Sequence, residues 1–115
     1  MANILVVEDE AITALDVRFQ LEDKGYTVFV SDNAEKAFEI SEEEDIDLLV
    51  ADINIKGEIN GIEMAEEISK KGIKVIFLSA NPNNVSIKLE GQEEVLYVKK
   101  PININDFSEV IESIL

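Results

Sequence analysis

Five short apolar blocks recur along the chain, with helical patterns between them. The blocks are residues 4–7, 27–30, 48–51, 75–78 and 95–98. Each has the length of a β-strand, and each is continuously apolar rather than alternating, which is typical of strands covered on both faces. The pattern therefore predicts a parallel sheet with helices on both of its sides.

The first helical segment follows the first apolar block directly. A helix is predicted over residues 11–24, with Ile12, Leu15 and Phe19 spaced at i, i+3 and i+7 as its apolar stripe. Gly25 comes next and suits the left-handed position that commonly ends a helix. We therefore expect this helix to stop at the glycine and to pack through that stripe.

Capping residues mark where three later helices begin. Asn33 and Asn60 precede the second and third apolar stripes, and Asn81 with Pro82 precedes a weaker fourth one. A clear stripe over residues 107–115 predicts a last helix. Together with the apolar blocks, these helices predict a single doubly wound (βα)5 domain of the α/β class.

Composition narrows the function of this domain, which we expect to span residues 1–115. The formal net charge of −15 disfavours binding to nucleic acid and to anionic membrane surfaces. The chain has no histidine and no cysteine, which excludes imidazole catalysis, thiolate metal sites and disulfides. No apolar stretch approaches the ~20 residues that span a bilayer, so we expect a cytoplasmic protein.

Chemically useful side chains follow the apolar blocks. Glu8 and Asp9 come after the first, Asp52 after the third, Ser79 after the fourth and Lys100 after the fifth. In an open α/β sheet the binding crevice lies beyond the carboxyl ends of the strands, so these groups are predicted to share one edge.

Such a cluster predicts a metal-dependent phosphoryl acceptor. Two carboxylates ~4 Å apart repel by ~4 kcal/mol at an effective dielectric of 20, so a cation is expected between them. Oxygen ligands without sulfur or imidazole favour Mg2+, with Mn2+ as a substitute. Lys100 supplies a second positive charge, and Asp52 is the predicted nucleophile that becomes an aspartyl phosphate.

The segments ILVVEDE, LLVADINI, IFLSA and YVKKPI, in this order, resemble the receiver domain of two-component response regulators. The resemblance covers essentially the whole chain and implies a flavodoxin-like sheet of order 2-1-3-4-5. It further implies that Asp52 takes a phosphoryl group from a phosphohistidine on a sensor histidine kinase or phosphotransfer protein. The chain would then catalyse only its own phosphorylation and dephosphorylation, and signal to a downstream protein that the sequence does not identify.

The resemblance also implies a set of roles around Asp52. Lys100 pairs with the phosphoryl oxygens, Ser79 moves to hydrogen-bond the phosphoryl group, and Tyr97 swings inward in response. The output surface is the fourth helix, fifth strand and fifth helix, and the bond before Pro101 is a candidate cis peptide. The implied Mg2+ ligands are the carboxylates of Glu8, Asp9 and Asp52 and the backbone carbonyl of Asn54.

Structural interpretations compete with each of these roles. Asp9 alone would be a good helix cap, Asp52 a turn residue, Lys100 a solvated surface charge and Tyr97 an ordinary core aromatic. Glu8 also departs from the family, which more often has Asp at that position. At the level of function, the alternative is a degenerate receiver that acts as an interaction module without phosphorylation.

Two other protein classes fit the residues less well. A metal-dependent phosphohydrolase would use a second Asp two positions after its nucleophile, where this chain has Asn54. A flavin-binding electron carrier needs a phosphate-cradling loop after the first strand, whereas the acidic residues 8–10 would repel the phosphate.

Overall fold

The computed structural model describes residues 2–80, 89 and 95–115. Within them, five parallel strands form one sheet in the order β2-β1-β3-β4-β5, which confirms the predicted 2-1-3-4-5 order. Each strand overlaps one of the predicted apolar blocks. The strands are β1 (Asn3–Val7), β2 (Thr27–Ser31), β3 (Leu48–Asp52), β4 (Lys74–Ser79) and β5 (Leu96–Lys99).

Helices connect and follow these strands. They are α1 (Ala11–Asp23), α2 (Ala34–Glu43), α3 (Gly61–Ser69) and α4 (Ile104–Ile114). The fourth helix predicted from Asn81 and Pro82 lies outside the described residues, so α4 corresponds to the predicted last helix. The architecture is the doubly wound α/β fold that the apolar pattern predicted, with the flavodoxin-like strand order that the family resemblance implied.

The sheet separates two hydrophobic clusters because successive side chains along each strand point to opposite faces. On one face Leu5 of β1 packs in a cluster with residues of α2 and α3, among them Met64. On the other face Ile4 packs in a cluster with Val17 of α1 and Phe107 of α4. Burial on both faces explains why the strands are continuously apolar.

Two of the three predicted asparagine caps, Asn33 and Asn60, are confirmed, and the third, Asn81, lies outside the described residues. The Asn33 side chain accepts a hydrogen bond from the Lys36 backbone N–H at 2.8 Å. Asn60 and Glu63 form a reciprocal capping box at the start of α3. Gly25, with φ of 97°, follows the end of α1 in the left-handed region.

The predicted core-facing stripe of α1 is wrong. Ile12 is 82% exposed, Leu15 50% and Phe19 60%. The buried face of the helix instead carries Ala14, Val17 and Leu21. Both sets have the same i, i+3, i+7 spacing, so periodicity alone could not decide which one faces the sheet.

The described residues contain no helix that is both long and apolar enough to cross a membrane.

Candidate functional site

The strand register brings the predicted site residues to one edge of the sheet. Val7, the residue before Glu8, pairs with Ala51, the residue before Asp52. Asp52 in turn pairs with Leu78, and Ser79 with Lys99. All these positions therefore lie at the carboxyl ends of their strands, as the sequence predicted.

Three carboxylates form a compact cluster at this edge. Glu8, Asp9 and Asp52 each offer an oxygen within 4.8 Å of those of the other two. Glu8 and Asp52 are buried, and Asp9 is partly exposed. Carboxylates held this close repel one another, and hard oxygen donors suit Mg2+ or Mn2+, so the residues present fit a divalent cation.

Lys100 reaches into the same cluster. Its Nζ donates hydrogen bonds to Glu8 Oε1 and to Asp52 Oδ2, the latter at 2.9 Å. The interpretation of Lys100 as a solvated surface charge is therefore wrong. Its backbone N–H donates to the carbonyl of Ser79 at 3.0 Å, and its bond to Pro101 is cis.

Backbone N–H groups of the loop after β3 donate hydrogen bonds to two of the carboxylates. The Asn54 backbone N–H donates to Asp52 Oδ1 at 2.9 Å, and the Lys56 backbone N–H donates to Asp9 Oδ2 at 3.0 Å. The residue that caps α1 is Glu10, whose side chain makes no capping hydrogen bond. Asp9 is therefore not a helix cap, because its carboxylate is directed to the loop that also positions Asp52.

Burial and the ion pairs have opposite effects on the pKa values of Glu8, Asp52 and Lys100. Burial raises the pKa of Glu8, and the neighbouring Asp52 adds to that rise against the effect of Lys100. Burial also opposes the charge of Asp52, but hydrogen bonds from Lys100 and the Asn54 N–H outweigh it, so its pKa is lowered. The pKa of Lys100 is raised, because the two carboxylates outweigh the effect of its burial. The lowered pKa favours the ionised form of Asp52.

Gly61 packs against the backbone at the end of β3, a contact that sequence reasoning missed. A Cβ placed on Gly61 would lie 2.3 Å from the carbonyl oxygen of Asp52 and 2.9 Å from that of Ile53. The first residue of α3 must therefore lack a side chain for the helix to approach this closely. The Asn60-Gly61 pair is the signal that could have found it, since a helix cap followed by glycine suits a tight approach.

The two predicted switch residues occupy different environments. Ser79 is buried at the end of β4. Tyr97 is partly buried on β5 and stacks on Phe77, with ring centroids 6.0 Å apart and an interplanar angle of 23°. The switching roles of both, and the role of the Asn54 carbonyl as a metal ligand, stay predictions.

A cleft lies between α1 and Lys100. The cleft has a volume of about 480 Å³, and Ile12 and Asp16 of α1 line it together with Lys100 and Pro101. A partner that covers this cleft would contact α1 and the lysine of the site at the same time.

Comparison with known proteins agrees with this geometry. Residues 4–112 match the response regulator receiver domain family. The chain belongs to that family. The receiver domain is 35% identical over 104 residues to the aerobic respiration control protein ArcA of Escherichia coli, a match that covers 88% of this chain and 43% of ArcA. This chain spans about half the length of the curated relatives that it matches.

Solved structures of response regulators are also similar to this chain. The response regulator TrrA of Thermotoga maritima, in complex with Mg(2+)-BeF, shares 30% identity with this receiver domain at a TM-score of 0.83, over 100% of both chains. NtrX of Brucella abortus shares 25% identity at a TM-score of 0.87, covering 100% of this chain and 27% of NtrX. Receiver domains are signalling domains that bind Mg2+ and partner with histidine kinases or phosphotransfer proteins in two-component systems.

Proposed function

We propose that this receiver domain accepts a phosphoryl group onto Asp52 from a phosphohistidine on a sensor histidine kinase or a phosphotransfer protein. The carboxylate of Asp52 attacks phosphorus, its new P–O bond replaces the P–N bond of phosphohistidine, and the leaving imidazole takes a proton from solvent. The observation that supports this proposal most directly is that Asp52 lies in the cluster with Glu8 and Asp9 and forms an ion pair with Lys100. Catalysis is limited to the domain's own phosphorylation and dephosphorylation.

The charged groups around Asp52 support this reaction. Glu8, Asp9 and Asp52, with the Asn54 carbonyl, would hold Mg2+, which when bound neutralises the charge that develops on the phosphoryl oxygens. Lys100 supplies a fixed positive charge at 2.9 Å from Asp52 Oδ2. The Asn54 N–H orients the Asp52 carboxylate through its other oxygen.

The phosphodonor protein must cover the edge of the sheet where Asp52 lies. We propose that it also contacts the exposed stripe of Ile12, Leu15 and Phe19. Two features support this: α1 begins directly after the acidic residues, and Ile12 lines the same cleft as Lys100. An exposed apolar stripe at this position is typical of a protein contact.

Signal output is the second half of the proposal. Ser79 would hydrogen-bond the phosphoryl group, and Tyr97 would change its packing on Phe77, altering the surface formed by the predicted fourth helix, β5 and α4 for a downstream protein. We propose that residues 1–115 form this one receiver domain, that it acts in the cytoplasm, and that it binds neither nucleic acid nor membrane.

Intact-mass spectrometry after incubation with acetyl phosphate tests the proposal. We expect one phosphoryl adduct that requires Mg2+ and is absent in Asp52→Asn. Asp32→Asn is the matched control, because it makes the same change at an exposed acid. If no adduct formed under any condition, the degenerate receiver that acts as an interaction module would be the better account.

A further inference from the structure

The loop between β3 and α3 presents one lysine, Lys56, to solvent beside the acidic cluster. We propose that the charge of its side chain attracts anionic phosphodonors to the acceptor site and favours doubly charged donors over singly charged ones. The inference rests on the proposed function, because these donors are the compounds that phosphorylate Asp52. It makes Lys56 a specificity-determining residue, in addition to the contact that its backbone N–H makes with Asp9.

Two contacts fix the backbone at Lys56. Its own N–H donates to Asp9 Oδ2 at 3.0 Å, and the preceding residue, Ile55, is buried in the hydrophobic cluster that includes Met64. Neither contact uses the side chain of Lys56, and the residue is exposed. The flexible four-carbon stem of a lysine at this point keeps the ammonium group within roughly 10 Å of the Asp9 carboxylate, whichever rotamer it adopts.

The ammonium group of Lys56 is available to a ligand. It forms no ion pair with any residue that the structure describes, whereas Lys100 is already paired with Glu8 and Asp52. The charge around the site is strongly negative, with three clustered carboxylates and a formal net charge of −15 on the chain. An anionic donor is therefore repelled as it approaches, and a solvent-facing cation beside the cluster reduces that repulsion.

The size of the effect depends on the charge of the donor. At low ionic strength, a unit charge ~8 Å from the donor changes the affinity of a singly charged donor by about twofold and that of a doubly charged donor by about fourfold. Acetyl phosphate carries two negative charges at neutral pH, and phosphoramidate carries one. Loss of the Lys56 charge should therefore affect acetyl phosphate more, whereas a substitution that disturbed the fold would slow both donors equally.

Phosphorylation rates with these two compounds, measured by intact-mass spectrometry at low ionic strength and fixed Mg2+, test the proposal. We expect Lys56→Gln to lower kcat/KM about fourfold with acetyl phosphate and about twofold with phosphoramidate, with kcat unchanged. Lys56→Arg keeps the charge and should restore both rates. Lys74→Gln is the matched control, because it removes the same charge from an exposed residue at the start of β4, the end of that strand opposite Ser79. It should change either rate by less than about 1.5-fold.

Ionic strength provides a second readout, which a purely structural role would not produce. At about 1 M salt the screening length falls to about 3 Å, so wild type and Lys56→Gln should react at equal rates with both donors. An unchanged rate in Lys56→Gln, an equal loss with both donors, or a loss that persists at high salt would overturn the proposal and leave Asp52 as the acceptor. If the wild-type domain were phosphorylated by neither donor, the proposed function would itself be wrong, and this inference with it.

Discussion

Replacing Gly61 by alanine should displace the end of β3, where Asp52 lies. The added Cβ would lie 2.3 Å from the Asp52 carbonyl oxygen, about 1 Å closer than ordinary contact, which begins at 3.4 Å. Both clashing oxygens are backbone atoms of residues 52 and 53, so no side-chain rotation can relieve the contact. α3 and the end of β3 must instead move apart, which displaces the backbone that carries the Asp52 carboxylate.

The magnitude follows from two opposing effects. Overpacking of this kind costs about 1–3 kcal/mol, and the backbone contact places Gly61→Ala near the upper end. The higher helix propensity of alanine offsets at most about 1 kcal/mol. We expect a net loss of about 1–2 kcal/mol, or roughly 4–10 °C in Tm for a domain of this size. A displacement of about 1 Å can slow the chemistry of a positioned group up to ~100-fold, so phosphorylation should slow by at least about tenfold.

Thermal melts measure the predicted loss of stability, and the rate of phosphorylation by acetyl phosphate measures the predicted loss of reactivity. Gly72→Ala is the control, because Gly72 has φ of 85° and open space around it, in the turn between α3 and β4. Alanine in the left-handed region costs about 1–2 kcal/mol, so the control should lower the Tm by a similar amount and leave phosphorylation unchanged. If Gly61→Ala phosphorylated at the rate of the control, the argument that this close approach positions Asp52 would be refuted.

Three further predictions address the donor surface, the ion pair and the core. Phe19→Ser should reduce kcat/KM for transfer from a phosphohistidine protein by at least about fivefold and leave acetyl phosphate unaffected; equal loss with both donors would contradict a docking role. In metal-free protein, the pKa of Lys100 is raised above its ordinary 10.5. The charged lysine therefore stabilises the folded state fully below pH 10.5, and this stabilisation is lost as the pH rises through the pKa of Lys100 in the folded protein. The difference in unfolding free energy between wild type and Lys100→Gln, from urea titrations, should therefore shrink above pH 10.5, and a constant difference would count against the ion pair. Phe107→Ala should lower the unfolding free energy by about 3–5 kcal/mol, because the ring is fully buried; a loss under 1 kcal/mol would show that the α4 packing is misjudged.

Strand positions were readable from the sequence because parallel strands buried on both faces leave a strong local signal. The position of Asp52 at the end of β3 follows directly from its place after the apolar block 48–51. Asn33 and Asn60 were likewise readable as caps, since capping depends on a side chain and backbone only three residues apart. The strand order required the family resemblance, because apolar runs do not specify which strands are neighbours.

The orientation of α1 could not be read in this way. Apolar residues occur on both faces of the helix, so the choice between Leu15 and Val17 as core residues depends on how the whole helix sits on the sheet. The pairing of Glu8 with Lys100 joins residues 92 positions apart, and its existence depends on burial that no local pattern encodes. The contact of Gly61 with Asp52 is likewise a tertiary distance.

The site as a whole was more predictable than its contacts. Residue type and strand-end position were enough to assemble the acids, Ser79 and Lys100 at one edge. Which oxygen each donor contacts, and that the loop N–H groups of Asn54 and Lys56 hold two carboxylates, required the folded backbone.

Chemical trapping of the phosphorylated residue tests the central claim most directly. Borohydride reduces an aspartyl phosphate to homoserine, so peptide mass spectrometry after phosphorylation and reduction reports which acid carried the phosphoryl group. We predict homoserine at position 52 alone, and only when Mg2+ was present during phosphorylation. Homoserine at another acid, or a phosphoryl adduct that yields no homoserine, would contradict the assignment of Asp52 as the acceptor.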